Sequence, residues 1–157
     1  MYNGPYGSDT WYQVVVPDEE ALIGSSVKQF VQALAEWAPA EHVRVITADW
    51  ACEKVWHLHP LPDPCVITTA YLLTLLETVI QIEWGRFFFY RSAERAAAAP
   101  HAYVPEMLSW CDYGLVCADN TYFYVYTRDS ALVQKLEEAY ITEPTKKGTL
   151  DQLDYLY

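Results

Sequence analysis

The run Glu83-Trp-Gly-Arg-Phe-Phe-Phe-Tyr-Arg91 constrains the fold more than any other stretch of the chain. A strand points successive side chains to opposite faces, so three consecutive phenylalanines cannot share one covered side. The simplest solution is a central strand covered on both faces, with Phe87, Phe88 and Phe89 in the core. That requires layers above and below a sheet, and 157 residues at 52% hydrophobic content supply enough material for one such domain.

The rest of the chain offers the other parts. Thr10–Val16, rich in aromatic and β-branched residues and stopped by Pro17, reads as a first strand. In residues 26–37, Val27, Phe30, Val31, Leu34 and Trp37 recur at helical spacing, and Ser26 with Gln29 fits a capping box. Residues 42–50 read as a second strand, which residues 54–59 continue or repeat as a third. Pro60, Pro62 and Pro64 lack backbone donors, so the segment from His59 to Cys65 is predicted as a loop. Residues 68–81, apolar nearly all round, are expected to form a helix packed on several sides.

Beyond the phenylalanine run, residues 93–100 read as a helical turn or connection. Val104–Cys111 reads as a short helix with Pro105 in its first turn. Gly114–Thr127 is the clearest hairpin, turning at Asp119-Asn120 with Tyr122, Tyr124 and Tyr126 on one face and Phe123 and Val125 on the other. A last long helix follows Asp129 as N-cap, marked by Leu132, Val133, Leu136 and Tyr140. Residues 142–157 read as a polar linker and a short amphipathic turn in which Thr149 and Gln152 form a capping box. Strands occur singly and in a hairpin, without a regular βαβ rhythm. The expected class is therefore α+β: one domain over 1–141 with a mixed or largely antiparallel sheet and flanking helices, and a docked extension over 142–157.

Motifs narrow the chemistry. The chain lacks HExxH, GxSxG, GxGxxG and GxxxxGK, and its six glycines are scattered. Cys52, His57, His59 and Cys65 are ligand types that zinc accepts as a tetrahedral set, and His-x-His on a strand puts both rings on one face. Structural zinc sites bring ligands in tight pairs, however, and these gaps are four and five residues, so solvent-facing histidines beside a buried Trp56 and Leu58 are the better account. A Cys111 or Cys117 thiolate paired with His101 has no support from spacing. No cofactor and no catalytic residue are expected.

Charge points to the kind of partner. Twenty-one acidic residues against ten basic give a net charge of −11, which disfavours nucleic acid, where affinity comes from neutralising phosphates. Residues 142–157 hold three acids and two bases, so −10 of that net lies on the preceding residues. No apolar run approaches the length of a membrane span, and the N-terminus shows neither the basic segment nor the apolar stretch of an export signal, so a cytoplasmic protein is expected. Acids interleave with aromatics: Asp18, Glu19 and Glu20 in one loop; Asp112 beside Tyr113; Asp119 at the hairpin tip near Tyr122 and Tyr124; and Asp151 and Asp154 beside Tyr155 and Tyr157. Such a surface suits a basic protein, steered by charge and anchored by rings.

In this organisation the chain resembles, over its whole length, the small acidic immunity proteins that neutralise bacterial antibacterial toxins: one domain, no catalytic motif, strong negative charge, many Tyr and Trp. The resemblance rests on type and carries no individual residue across. It implies a tight complex with a cognate toxin domain of basic surface, blocking its active site or substrate entrance. The alternatives are a metal- or Cys-dependent enzyme centred on Cys52, His57, His59 and Cys65, and an adaptor using an open sheet face.

Overall fold

The computed structural model describes residues 2–52 and 65–155, the side chains of residues 47–52 excepted. In chain order the elements are β1 (Trp11–Pro17), α1 (Gly24–Trp37), β2 (His42–Cys52), β3 (Cys65–Thr68), α2 (Thr69–Leu76), β4 (Val79–Tyr90), α3 (Ala93–Ala98), α4 (Val104–Leu108), β5 (Tyr113–Ala118), β6 (Tyr122–Thr127), α5 (Ser130–Ala139) and β7 (Lys146–Gly148), with a 3₁₀ turn at Leu150–Gln152. Seven strands form one sheet in the order β3-β2-β4-β5-β6-β1-β7. Every pairing is antiparallel. The class is α+β.

β4 occupies the interior of the sheet, between β2 and β5, and Phe87, Phe88, Phe89 and Tyr90 are all fully buried. Parity divides them between two cores. Phe87 and Phe89 join Val43, Val45, Leu115, Val125 and Val14 under α1, α2 and α5. Phe88 and Tyr90 join Trp11, Val116 and Tyr126 on the other face, beneath residues of α3, α4 and the 3₁₀ turn. The two-sided run thus demands, and receives, apolar cover on both faces of the sheet.

Local chemistry explains several boundaries. Asp119 and Asn120 adopt φ of 52° and 42°, the left-handed pair that a two-residue hairpin turn needs. Asp129 caps α5 through the Ala131 amide at 2.9 Å. Thr149 and Gln152 form the expected capping box. Residues 142–148 are not wholly linker: β7 pairs with the outer edge of β1, satisfying backbone groups that would otherwise face water.

Three expectations are corrected. The helix predicted over 68–81 ends at Leu76, and β4 begins at Val79, where Val79 is buried, Ile80 is exposed and Ile82 is buried. A continuous apolar run conceals the change from helical to strand periodicity. Cys65 opens β3 and is not in a loop. Ser26 does not cap α1, whose N-cap is Ile23 without a side-chain hydrogen bond; its hydroxyl donates to Asp18 Oδ2 at 2.6 Å. The strand expected over 54–59 lies outside the described residues. Among the described residues, no helix is long and apolar enough to cross a membrane.

Candidate protein-interaction surface

The loop between β1 and α1 is organised by one carboxylate. Asp18 Oδ1 accepts from the Glu20 amide at 3.1 Å, while Oδ2 accepts from the Leu22 amide at 3.1 Å and from the Ser26 hydroxyl. This holds Ala21 and Leu22 at positive φ, 56° and 54°, where L residues are strained. Leu22 is thereby turned fully into the core, while Glu19 and Glu20 are left facing water.

Two further segments meet this loop. The Asp18 amide donates to Thr121 O at 2.7 Å, tying it to the hairpin tip, and the Asn120 amide donates to Glu83 O at 3.0 Å, tying the tip to β4. Glu19, Glu20, Glu83 and Asp119, drawn from three separate parts of the chain, therefore lie at one end of the sheet. All four are exposed, and none forms an ion pair among the described residues. Uncompensated like charge in one place raises the local potential that a basic partner would meet.

A row of tyrosine rings runs away from this end along the face opposite α1. Tyr122 and Tyr124 meet edge-on with centroids 6.2 Å apart, Tyr124 and Tyr126 lie at 6.5 Å, and Tyr126 and Tyr155 stack at 5.4 Å. Tyr126 is covered, but Tyr122 and Tyr124 are only half-buried. Desolvation raises the Tyr124 phenol above its ordinary value, with Glu143, Tyr122 and Asp154 adding to the shift. It stays a neutral hydrogen-bonding tip on an apolar ring.

The remaining candidate residues are placed elsewhere or already engaged. Asp112 and Tyr113 stand at the opposite end of the sheet; Tyr113 is 2% exposed and stacked on Phe89, so its ring cannot anchor a partner. Asp112 Oδ2 accepts from the Arg91 amide at 2.7 Å. Asp151 is hydrogen-bonded by the Tyr2 hydroxyl. Asp154 holds the C-terminal segment to β1: its carboxylate pairs with Lys146, its amide donates to Gln13 Oε1 at 2.7 Å, and its carbonyl accepts from Tyr126 at 2.6 Å. Tyr155 donates to Leu150 O at 2.6 Å, so its hydroxyl is internally used. Tyr157 lies outside the described residues.

His57 and His59, weighed above as zinc ligands, and the side chain of Cys52 also lie outside the described residues; Cys65 is half-buried. Among the described residues, no group of three His, Cys, Asp or Glu side chains is disposed to hold a metal. Cys111 and Cys117 are fully buried, and desolvation pushes both thiols upward, so neither is a ready thiolate. Sequence reasoning missed Glu83. It opens the bulky run within β4, and only the tertiary bond from the Asn120 amide to its carbonyl brings it beside the hairpin tip.

No family model matches the chain, and neither a curated protein nor a solved structure matches it.

Proposed function

We propose that this chain is a protein-binding domain of the immunity type, whose acidic hairpin end receives the basic surface of a toxin domain. The observation that carries the reading is the convergence of four exposed carboxylates, Glu19, Glu20, Glu83 and Asp119, from three chain segments, none of them in an ion pair among the described residues. Tyr122 and Tyr124 continue the surface with large rings of low conformational entropy, suited to anchoring after charge has steered the encounter. The net charge of −11 gives the whole domain a field of the same sign.

The division of labour is kinetic. Carboxylates at the rim accelerate association and lose that effect as salt screens them, while the tyrosines slow dissociation. The test pairs the purified protein with the product of the gene adjacent to its own, followed by stopped-flow across an ionic-strength series. Association should slow steeply with salt, and Glu19→Lys, Glu20→Lys and Asp119→Lys together should flatten that dependence. Tyr122→Ala with Tyr124→Ala should speed dissociation. A salt-independent association rate, unchanged in the charge-reversed protein, would remove the proposal.

A further inference from the structure

At the end of the sheet opposite the acidic tip, the residue after β4, the first of β5, the last of β6 and the residues that flank them enclose a cleft of ≈ 230 Å³, lined by Arg91, Asp112, Tyr113, Arg128 and Asp129 among others. Tyr113, one of its lining residues, carries a buried polar group with no partner among the described residues. Tyr113 is 98% covered, its ring is fixed on Phe89 with centroids 4.6 Å apart, and its hydroxyl makes no hydrogen bond among the described residues. A buried hydroxyl left unmatched is costly, and native proteins seldom retain one without a use. Burial raises its pKa, with Arg91 pulling the other way, so the group remains an O–H donor.

The charges around that hydroxyl are unequally committed. Arg128 is pinned, its guanidinium 3.4 Å from the Tyr6 ring centroid and within 3.5 Å of Asp9 and 3.9 Å of Asp112. Asp112 is drawn to Arg128 and to the Arg91 amide, and Asp129 Oδ1 to the Ala131 amide. The Arg91 guanidinium is exposed and forms no ion pair among the described residues. Arg91 and the Tyr113 hydroxyl are thus uncommitted donors on one small cleft, and the Nε of Arg128, held by its other contacts, is also buried without a hydrogen-bond partner among the described residues.

We propose that this cleft binds a small monocarboxylate, with Arg91 and the Tyr113 hydroxyl donating to its oxygens. A planar guanidinium matches a carboxylate better than it matches a point anion. Asp112 and Asp129 oppose a dianion such as phosphate by like charge. The cleft is below the size range of sites for drug-sized ligands, which suits a molecule of amino-acid size. The same chemistry is offered by a free amino acid, whose ammonium would meet the uncapped oxygen of Asp129, and by the terminal carboxylate of a peptide. Neither depends on the acidic tip at the far end of the sheet.

The test is a ¹H–¹⁵N NMR titration of the full chain with acetate, alanine, N-acetylalanine and inorganic phosphate. Saturable shifts centred on Arg91, Tyr113 and Thr127 are expected with the carboxylates, in the millimolar range. Tyr113→Phe keeps the stacked ring and removes only the unpartnered hydroxyl; it should weaken binding about tenfold, a difference of ~1.4 kcal/mol, without lowering the melting temperature. Arg91→Gln, at an exposed side chain, should weaken binding without risk to the fold. Alanine binding more tightly than N-acetylalanine assigns the free amino acid, and the reverse order assigns a chain terminus. Absence of saturable shifts with every carboxylate, tighter binding of phosphate than of acetate, or undiminished affinity in either variant would overturn the proposal.

Discussion

Asp18 accepts the Ser26 hydroxyl at 2.6 Å, joining the loop after β1 to the first turn of α1 across eight residues. The same carboxylate takes two backbone amides, so within one acidic tripeptide Asp18 is structural while Glu19 and Glu20 are not. Asp18→Ala should cost about 1–3 kcal/mol by releasing these donors and the strained Ala21 and Leu22. Glu19→Lys and Glu20→Lys should change stability by less than about 0.5 kcal/mol. Urea denaturation of the three variants decides the matter; equal losses would mean that the loop is held by something other than Asp18.

Phe88 faces the core beneath α3 and α4 and has no exposed surface. Phe88→Ala should cost about 3–5 kcal/mol through lost burial and the cavity left behind. A loss under about 1 kcal/mol in chemical denaturation would mean that the second layer is not closely packed there.

Gly24 opens α1, a position where alanine would ordinarily favour the helix. A Cβ there would collide with the carbonyl oxygens of Val79 and Leu76, backbone atoms at the joint between α2 and β4. Gly24→Ala should therefore destabilise, by about 1–3 kcal/mol, instead of stabilising. A raised melting temperature would show that this approach is looser than described.

The Asp154 carboxyl lies below its ordinary 3.8, chiefly through the hydrogen bond from Lys146, with Gln13 contributing. A lowered folded-state value stabilises the docked segment fully above pH 3.8 and loses that effect as pH falls through the lower value. Tyr155 ring-proton shifts, which report stacking on Tyr126, should therefore keep their native values in the parent to a lower pH than in Lys146→Met. Coincident midpoints would show that the Lys146 contact does not hold the segment.

Most of the fold was legible because its signals are local. The phenylalanine run demanded a two-sided sheet, Asp119-Asn120 marked the turn, and Asp129 marked the start of α5. What escaped was set by distance. Ser26 satisfies a capping-box pattern, yet its hydroxyl is claimed by Asp18, a competition no local rule contains. β7 has little strand character of its own and exists because β1 offers it an unpaired edge. For the candidate surface, acid beside tyrosine was visible, but tertiary placement separates Asp112, Tyr113 and Asp154 from Glu19 and Asp119 and adds Glu83. Arg91 carried no sequence signal at all, since an arginine after a strand is an ordinary boundary residue.

The position of β1 bears on how the chain is made. Of the sheet's seven strands it is the first to be synthesised, yet its neighbours on both sides, β6 and β7, are the last two. During elongation Trp11 and Val14 have no strand to pair with until β6 has emerged, so the sheet closes around β1 late. A strand that waits this long exposes β-prone apolar surface throughout synthesis. Truncation before residue 122 should therefore yield an aggregating chain and not a smaller domain, because it removes both strands that complete the sheet around β1.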